Sequence, residues 1–275
     1  MKSWKIYPIN ETVSKFIECY WYLEKEASDE THATPNLYPD PCAHLIFSKN
    51  DQPYSYASHD DTFIGSGTHL IQPHLKSFTL DHADPFIVFG VKLKIGALYS
   101  LNIPDISNDI NNIIDLMNFK YEQFNPLYHC ENEIRDSKKQ LVSKLDYIFS
   151  TLCTEVEIDR HQLLVQNVLP ILYKSENVKV SEQLNCSQRT IERSFVKVTN
   201  MTLKQCHMLI RLERILDYIL DLDEQEIDWP SIAQTFNFSD QPHLIRTLKS
   251  LIGQSPNAYI NQRDLTIDIY GDFND

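Results

Sequence analysis

The chain contains no unbroken apolar run of about 18 residues, so no membrane-crossing helix is expected. Its first ten residues, Met1 to Asn10, are polar and lack the apolar core of a secretory signal. Among six cysteines (Cys19, Cys42, Cys130, Cys153, Cys186 and Cys206) there is no CxxC pair. That spacing argues against a zinc ribbon or a dithiol redox motif and for reduced, buried thiols in a cytoplasmic protein. A GxSxG nucleophile motif is missing, as is a His-x-His followed by Glu, although six histidines lie between His32 and His82. No catalytic residue, metal ligand or cofactor is therefore assigned, and a metal-dependent barrel enzyme stays only as an alternative.

Positive charge is also scarce. Lys and Arg number 25 against 38 Asp and Glu, a net charge of −13. The deficit is unevenly spread: −8 up to Ser175, −1 from Glu176 to Arg263 and −4 in the tail after Arg263. Between Glu176 and Arg263 the acids gather at Asp221 to Asp228, leaving basic residues to cluster elsewhere. Overall acidity weakens phosphate binding without excluding it, because affinity depends on the local face.

Against these absences stands a repeat in the last hundred residues. Asn185-Cys-Ser187 runs into Arg189, Glu192, Arg193 and Phe195; Asn237-Phe-Ser239 runs into Gln241, His243, Arg246 and Leu248. Each copy follows a short apolar helical stretch, Val178–Leu184 and Ser231–Phe236. Asn tolerates the positive φ that a tight turn needs, and Ser can cap the helix that follows. The pattern is helix, turn, helix, written twice.

Between the copies, Thr202-Leu-Lys-Gln205 is a capping box opening a long helix to about Leu220, with Met208, Leu209, Leu212, Ile215, Leu216 and Ile219 as its core stripe. A helix of roughly 19 residues spans nearly 30 Å, close to the ~34 Å of one DNA turn. Such a rod could set two recognition helices in successive major grooves. Before the first copy, His161 to Lys174 reads as a helix bent at Pro170. Pro230 suits the first turn of the helix before the second turn, Gly253 suits a helix terminus, and Ser255-Pro256 starts a last short helix.

From about Val178 to Arg263 the chain resembles the DNA-binding domain of the AraC/XylS transcription regulators. Arg211-Leu-Glu-Arg-Ile-Leu216, Ser231-Ile-Ala-Gln234, Asn237-Phe-Ser-Asp-Gln-Pro-His243, Gly253-Gln-Ser-Pro256 and Tyr259 carry the resemblance. Asn185 and Asn237 stand where the family usually has Gly, Leu248 where Phe is usual, and Pro242 sits near the start of a recognition helix. By motif, base-facing positions fall on Gln188, Arg189, Glu192 and Arg193 in the first unit and on Gln241, His243 and Arg246 in the second. Arg suits guanine, Gln adenine and Glu the cytosine amine. Thr190, Lys197, Lys204 and Lys249 are the phosphate candidates. The resemblance implies double-stranded DNA and RNA polymerase as partners and activation more than repression; the lack of a long apolar run leaves no membrane among the partners.

The N-terminal half reads as short strands at Phe16–Leu23, His44–Phe47, Phe63–Gly65, Ser77–Leu80 and Phe86–Leu93, an antiparallel barrel or sandwich. It resembles more weakly a cupin-like sensor, through Tyr38-Pro-Asp-Pro-Cys-Ala-His-Leu-Ile-Phe47, Gly65 and Gly90-Val-Lys-Leu-Lys-Ile-Gly96. Tyr20, Tyr22, Tyr38, His44 and His69 are ligand candidates by residue type alone, with His69 and His74 placed in a loop around Pro73. Beyond Asn108 the pattern turns helical, with Ile110, Ile113, Ile114 and Met117, then Leu141, Leu145, Ile148 and Leu152. That last stripe packs on the barrel or against a second copy in a homodimer.

The expected chain is α+β: a sensor at 1–105, a helical linker at 106–160, the tandem DNA-binding domain at 161–263 and an acidic tail at 264–275. The leading function is a sequence-specific transcription regulator, with a small-molecule effector in the barrel as an open option. An adaptor with decayed DNA units is one alternative. A methyl-accepting repair sensor is another, disfavoured because only Cys19 and Cys42 lie where four zinc-binding cysteines would be needed.

Overall fold

The computed structural model describes residues 1–29, 33–101, 103, 106–116, 138–154, 156–174, 180–220, 222 and 227–262. His32, Met117, Cys130, Val178, Asp221, Asp223, Glu224, Glu226 and the tail from Asp264 lie outside them.

Two antiparallel sheets build the N-terminal half. The larger has the order β1 (Lys2–Ile6), β2 (Ile17–Lys25), β9 (Phe86–Leu93), β4 (His44–Phe47), β7 (His69–Ile71) and β10 (Ile113–Asp115). The smaller runs β3 (Asn36–Leu37), β8 (Phe78–Leu80), β5 (Pro53–Ala57) and β6 (Thr62–Ser66). Side-chain alternation divides the larger sheet's residues between two cores. Trp21, Leu23, Ile46 and Ile71 join Leu37, Tyr56, Phe78 and Leu80 in the layer between the sheets. Tyr20, Leu45, Leu70, Phe89 and Val91 face the other way. Trp21 pairs with Gly90 across β2 and β9, and a Cβ at Gly90 would fall 1.9 Å from the indole. Glycine there makes room for the ring.

The outer face of the larger sheet is covered by α1 (Ala97–Leu101) and α2 (Lys138–Thr154). Leu141, Leu145 and Ile148 are buried in the same cluster as Tyr20 and Phe89, with Leu152 partly buried against it. The stripe is thus intramolecular core, and that face is not free to pair with a second copy. Asp146, on the same helix, accepts the Tyr20 hydroxyl at 2.9 Å and the N–H groups of Ile9 and Asn10 at 2.8 Å.

Three expectations are corrected. Ile113–Asp115 is strand β10, paired with β7, and not helix; the sheet therefore runs past residue 105. Ile113 and Ile114 enter opposite cores, as neighbours on a strand must. His69 lies in β7, not a loop, and His74 forms an isolated antiparallel bridge with Asp40.

The C-terminal half is helical: α3 (Arg160–Lys174), α4 (Val180–Gln183), α5 (Gln188–Thr199), α6 (Leu203–Leu220), α7 (Trp229–Thr235), α8 (Gln241–Ile252) and α9 (Pro256–Gln262). One core joins α3, α4, α5 and the start of α6; another joins the rest of α6 with α7, α8 and α9. Cys42, Ile95 and Tyr99 from the N-terminal half enter the first, and Tyr38 enters the second. The sandwich therefore touches both helical units. No helix among the described residues is long and apolar enough to cross a membrane.

Candidate nucleic-acid interface

The two turns close alike. Asn185 and Asn237 adopt φ of 48° and 53°. The next N–H in each case, Cys186 or Phe238, returns to a carbonyl five residues back, Ser181 at 3.2 Å and Ala233 at 2.8 Å. This closure satisfies a helix-terminal carbonyl with an αL residue at its centre. The caps differ. The Ser187 hydroxyl accepts the Thr190 N–H at 3.2 Å, whereas in the second unit Asp240 accepts the His243 N–H at 2.6 Å. Of the two expected caps, Ser239 or Asp240, it is Asp240 that serves; the Ser239 hydroxyl lies 3.1 Å from the His243 ring nitrogen Nδ1.

Between them, α6 has 18 residues, about 27 Å of helix. The Thr202–Gln205 capping box opens it, with reciprocal bonds of 2.9 and 3.1 Å. Arg211 explains part of the family-like pattern in this helix. It donates to the Phe236 carbonyl and its guanidinium lies 3.6 Å from the Phe238 ring centre, fastening the second turn to α6.

Burial separates the faces of each recognition helix. In α5, Ile191, Ser194, Phe195 and Val198 are buried, while Gln188, Arg189, Thr190, Glu192, Arg193 and Lys197 are exposed. In α8, Leu244, Leu248 and Ile252 are buried, while His243, Arg246 and Lys249 are exposed and Gln241 is half-buried. Lys204 is exposed on the first turn of α6.

Neighbours refine these roles. Glu192 accepts the Gln188 amide at 2.8 Å, one turn away. Lys197 pairs with Asp159 at 3.1 Å and lies over the Tyr99 ring. Desolvation opposes the charge on Asp159, but the Gln162 and His161 N–H groups, the Tyr99 hydroxyl and Lys197 hold its carboxyl well below the usual range. Lys197 is thus tied into the protein, whereas among the described residues Arg189 and Arg193 form no ion pair with a carboxylate.

The ligand candidates are not brought together. Tyr20 lies beneath α2, and Tyr22 stacks on Trp4 and bonds Glu24. Tyr38 packs edge-on against Tyr259 of α9 and accepts from Gln254. His44 is fully buried, 3.0 Å from Asp40. Tyr38 also lines a small hollow against Leu212 and Leu216 of α6, whereas His69 lines a separate, larger cavity of about 260 Å³ shared with Tyr54, Tyr56, His82 and Phe86. Those four were not among the sequence-derived ligand candidates. Tyr54 and Tyr56 share one parity along β5, the signal that could have grouped them.

Within this cavity the imidazole of His69 is 2.7 Å from the Tyr56 hydroxyl and 2.8 Å from the Gly67 carbonyl. Burial pushes its pKa down to about 4 despite that carbonyl, so the ring is neutral at pH 7.

The comparisons with known proteins bear on both halves. Residues 180–262 match the family described as a helix-turn-helix domain, and residues 6–109 match a domain of unknown function, DUF6597. Residues 180–262 thus form a helix-turn-helix domain, and the segments that carry the AraC/XylS resemblance, Arg211 to Tyr259, lie inside the match. Its match begins at α4 and leaves α3 outside. Among solved structures, ToxT from Vibrio cholerae is similar at 10% identity over 95% of this chain and 97% of that one, with a TM-score of 0.48. Unsaturated fatty acid-bound wild-type ToxT from the same organism is similar at 12% identity over 93% and 96%, with a TM-score of 0.46. No curated protein matches the chain.

Proposed function

We propose that this chain is a sequence-specific transcription regulator whose α5 and α8 read two successive major grooves of one duplex. The supporting observation is the repeat itself: two turns with the same αL asparagine and the same backbone closure, each followed by a helix with an exposed arginine face. Arg189, Arg193 and Arg246 read bases, together with Gln188, Glu192, Gln241 and His243. Thr190, Lys204 and Lys249 set register on phosphates, and Lys197 contributes through its bond to Asp159. The regulator acts as an activator through RNA polymerase.

An effector would occupy the sandwich cavity. Its lining carries tyrosines, a neutral His69 and, at the exposed edge, Asp81 and Asp84, with no Lys or Arg among the described residues. At about 260 Å³ it suits a small neutral or cationic aromatic molecule, and its carboxylates repel an anion. Both helical units touch the sandwich, so a ligand that prefers one shape of it shifts how α5 and α8 are presented.

Selection of bound fragments from a random duplex pool, with and without small-molecule extract, tests the reading. It predicts enrichment of two short half-sites about 10 base pairs apart. A pool that stays random after repeated rounds would contradict it.

A further inference from the structure

A cleft of about 510 Å³ runs between α3 and α5, lined by Arg160, His161 and Asn167 from one helix and Arg189, Thr190 and Arg193 from the other. Three guanidinium groups thus share one groove on a chain of net charge −13. Among the described residues none of the three forms an ion pair with a carboxylate. The acids nearby are already engaged: Asp159 by Lys197, Tyr99 and two N–H groups, and Glu192 by Gln188. Like charges held together without a counter-charge raise one another's energy, and an anion entering the groove relieves it.

The groove is also built rather than incidental. The buried hydroxyl of Ser194 lies 3.0 Å from His161 Nδ1 and donates to the Thr190 carbonyl at 3.0 Å, linking the two walls. The other ring nitrogen of His161 accepts from Arg160 Nε at 3.4 Å, tying Arg160 to the ring that links the walls. Desolvation and the adjacent cationic charges of Lys197, Arg160 and Arg193 lower the His161 pKa, in keeping with a neutral ring that can accept that bond.

We infer that this cleft seats the sugar-phosphate backbone bordering the major groove that α5 enters, with Arg160 as a phosphate ligand. The inference rests on the proposed reading of DNA by α5. It extends the interface to α3, which lies before the segment matched by the helix-turn-helix family. The geometry follows from the shared lining: Arg189 and Arg193 lie on the exposed face of α5, and the same side chains form one wall of the cleft. A backbone strand running beside α5 must then pass α3. Arg presents a planar fork suited to phosphate oxygens, and a phosphate ligand adds affinity without adding sequence preference.

The test is a salt titration of binding by the full chain, on a duplex recovered by selection and on a mixed-sequence duplex. Arg160 is exposed, so Arg160→Ala is expected to fold; circular dichroism checks it. The inference predicts that Arg160→Ala weakens binding to both duplexes by the same factor. It also predicts that the slope of log affinity against log salt becomes shallower by about 0.9, the contribution of one phosphate. Arg160→Lys, which keeps a point charge, should retain the slope. An unchanged slope in Arg160→Ala would overturn the inference, and so would a loss confined to the selected duplex. If the wild type binds neither duplex, the reading of α5 falls first and the cleft's role falls with it.

Discussion

The ammonium of Lys92 lies 3.2 Å from a carboxylate oxygen of Glu213, joining a central strand of the larger sheet to the long helix α6. Lys92 is almost fully buried and also lies 3.6 Å from Asp40, which in turn is 3.0 Å from His44. Burial opposes the charge of Asp40, but Lys92 and the hydrogen bond with His44 overcome it and hold its carboxyl far below the usual range. The sandwich and the rod between the recognition helices therefore share one buried ionic network.

Breaking one member of such a network strands the others. Lys92→Met should cost about 3 kcal/mol or more, because Asp40 is left charged and buried. Glu213→Gln should cost about 1 kcal/mol, since Glu213 keeps some contact with solvent and the amide can still accept a bond. Urea denaturation at pH 7 measures both, and equal costs would show that the ion pair itself, not Asp40, dominates.

Asn185 and Asn237 hold the left-handed conformation that the two turns require. Replacing Asn237 by Gly should be neutral or stabilising by up to about 1 kcal/mol, whereas Asn237→Val should destabilise by about 1–3 kcal/mol. Thermal unfolding of the two variants checks the order. A stable valine variant would mean that the turn tolerates another backbone path.

His69 makes stability pH-dependent. Its folded pKa of about 4 lies below the ordinary value of 6.5, so the unfolded chain takes up the proton first. Its contribution is complete above about pH 6.5 and fades as the pH falls toward 4, with roughly 2 kcal/mol lost by pH 5. Comparing wild type with His69→Gln at pH 7 and pH 5 isolates this group. Identical losses in the two proteins would show that the buried imidazole does not titrate in this window.

Arg193→Ala and Arg246→Ala should each weaken a selected duplex by about 1–3 kcal/mol and relax the preference at the base each reads. Binding to a mixed-sequence duplex should change much less. Fluorescence anisotropy on both duplexes separates this from the uniform loss expected of a phosphate ligand. A uniform loss in Arg193→Ala would reassign that residue to the backbone.

The helical half was legible because its signals are local. Asn at each turn, the Thr202–Gln205 box and Gly253 each act within a few residues, and the structure places them as their chemistry requires. The sheet half was legible in its strands but less in their partners. Ile113 and Ile114 imitate a helical stripe, yet β7 pairs with them and sends one to each side. Tyr20 is an aromatic like any other until α2 covers it. Tyr54, in turn, stands over Gly65 of the paired strand, where a Cβ would come within 2.4 Å of its ring. Contacts between distant segments decide such matters, and residue type alone does not carry them. Lys92 shares the parity of Val88 and Gly90 along β9, but nothing local reveals its partners on other elements.

The central claim is that α5 and α8 of one chain read one duplex together, and half-site spacing tests it most directly. Affinity of the full chain should be measured on a selected duplex and on the same duplex with half a turn, about 5 base pairs, inserted between its half-sites. Two units joined by the rigid α6 and braced by the sandwich cannot follow a half-site rotated to the opposite side of the helix. Binding to the lengthened duplex should therefore fall to that of a single half-site. Unchanged affinity after the insertion would contradict joint reading by the two units.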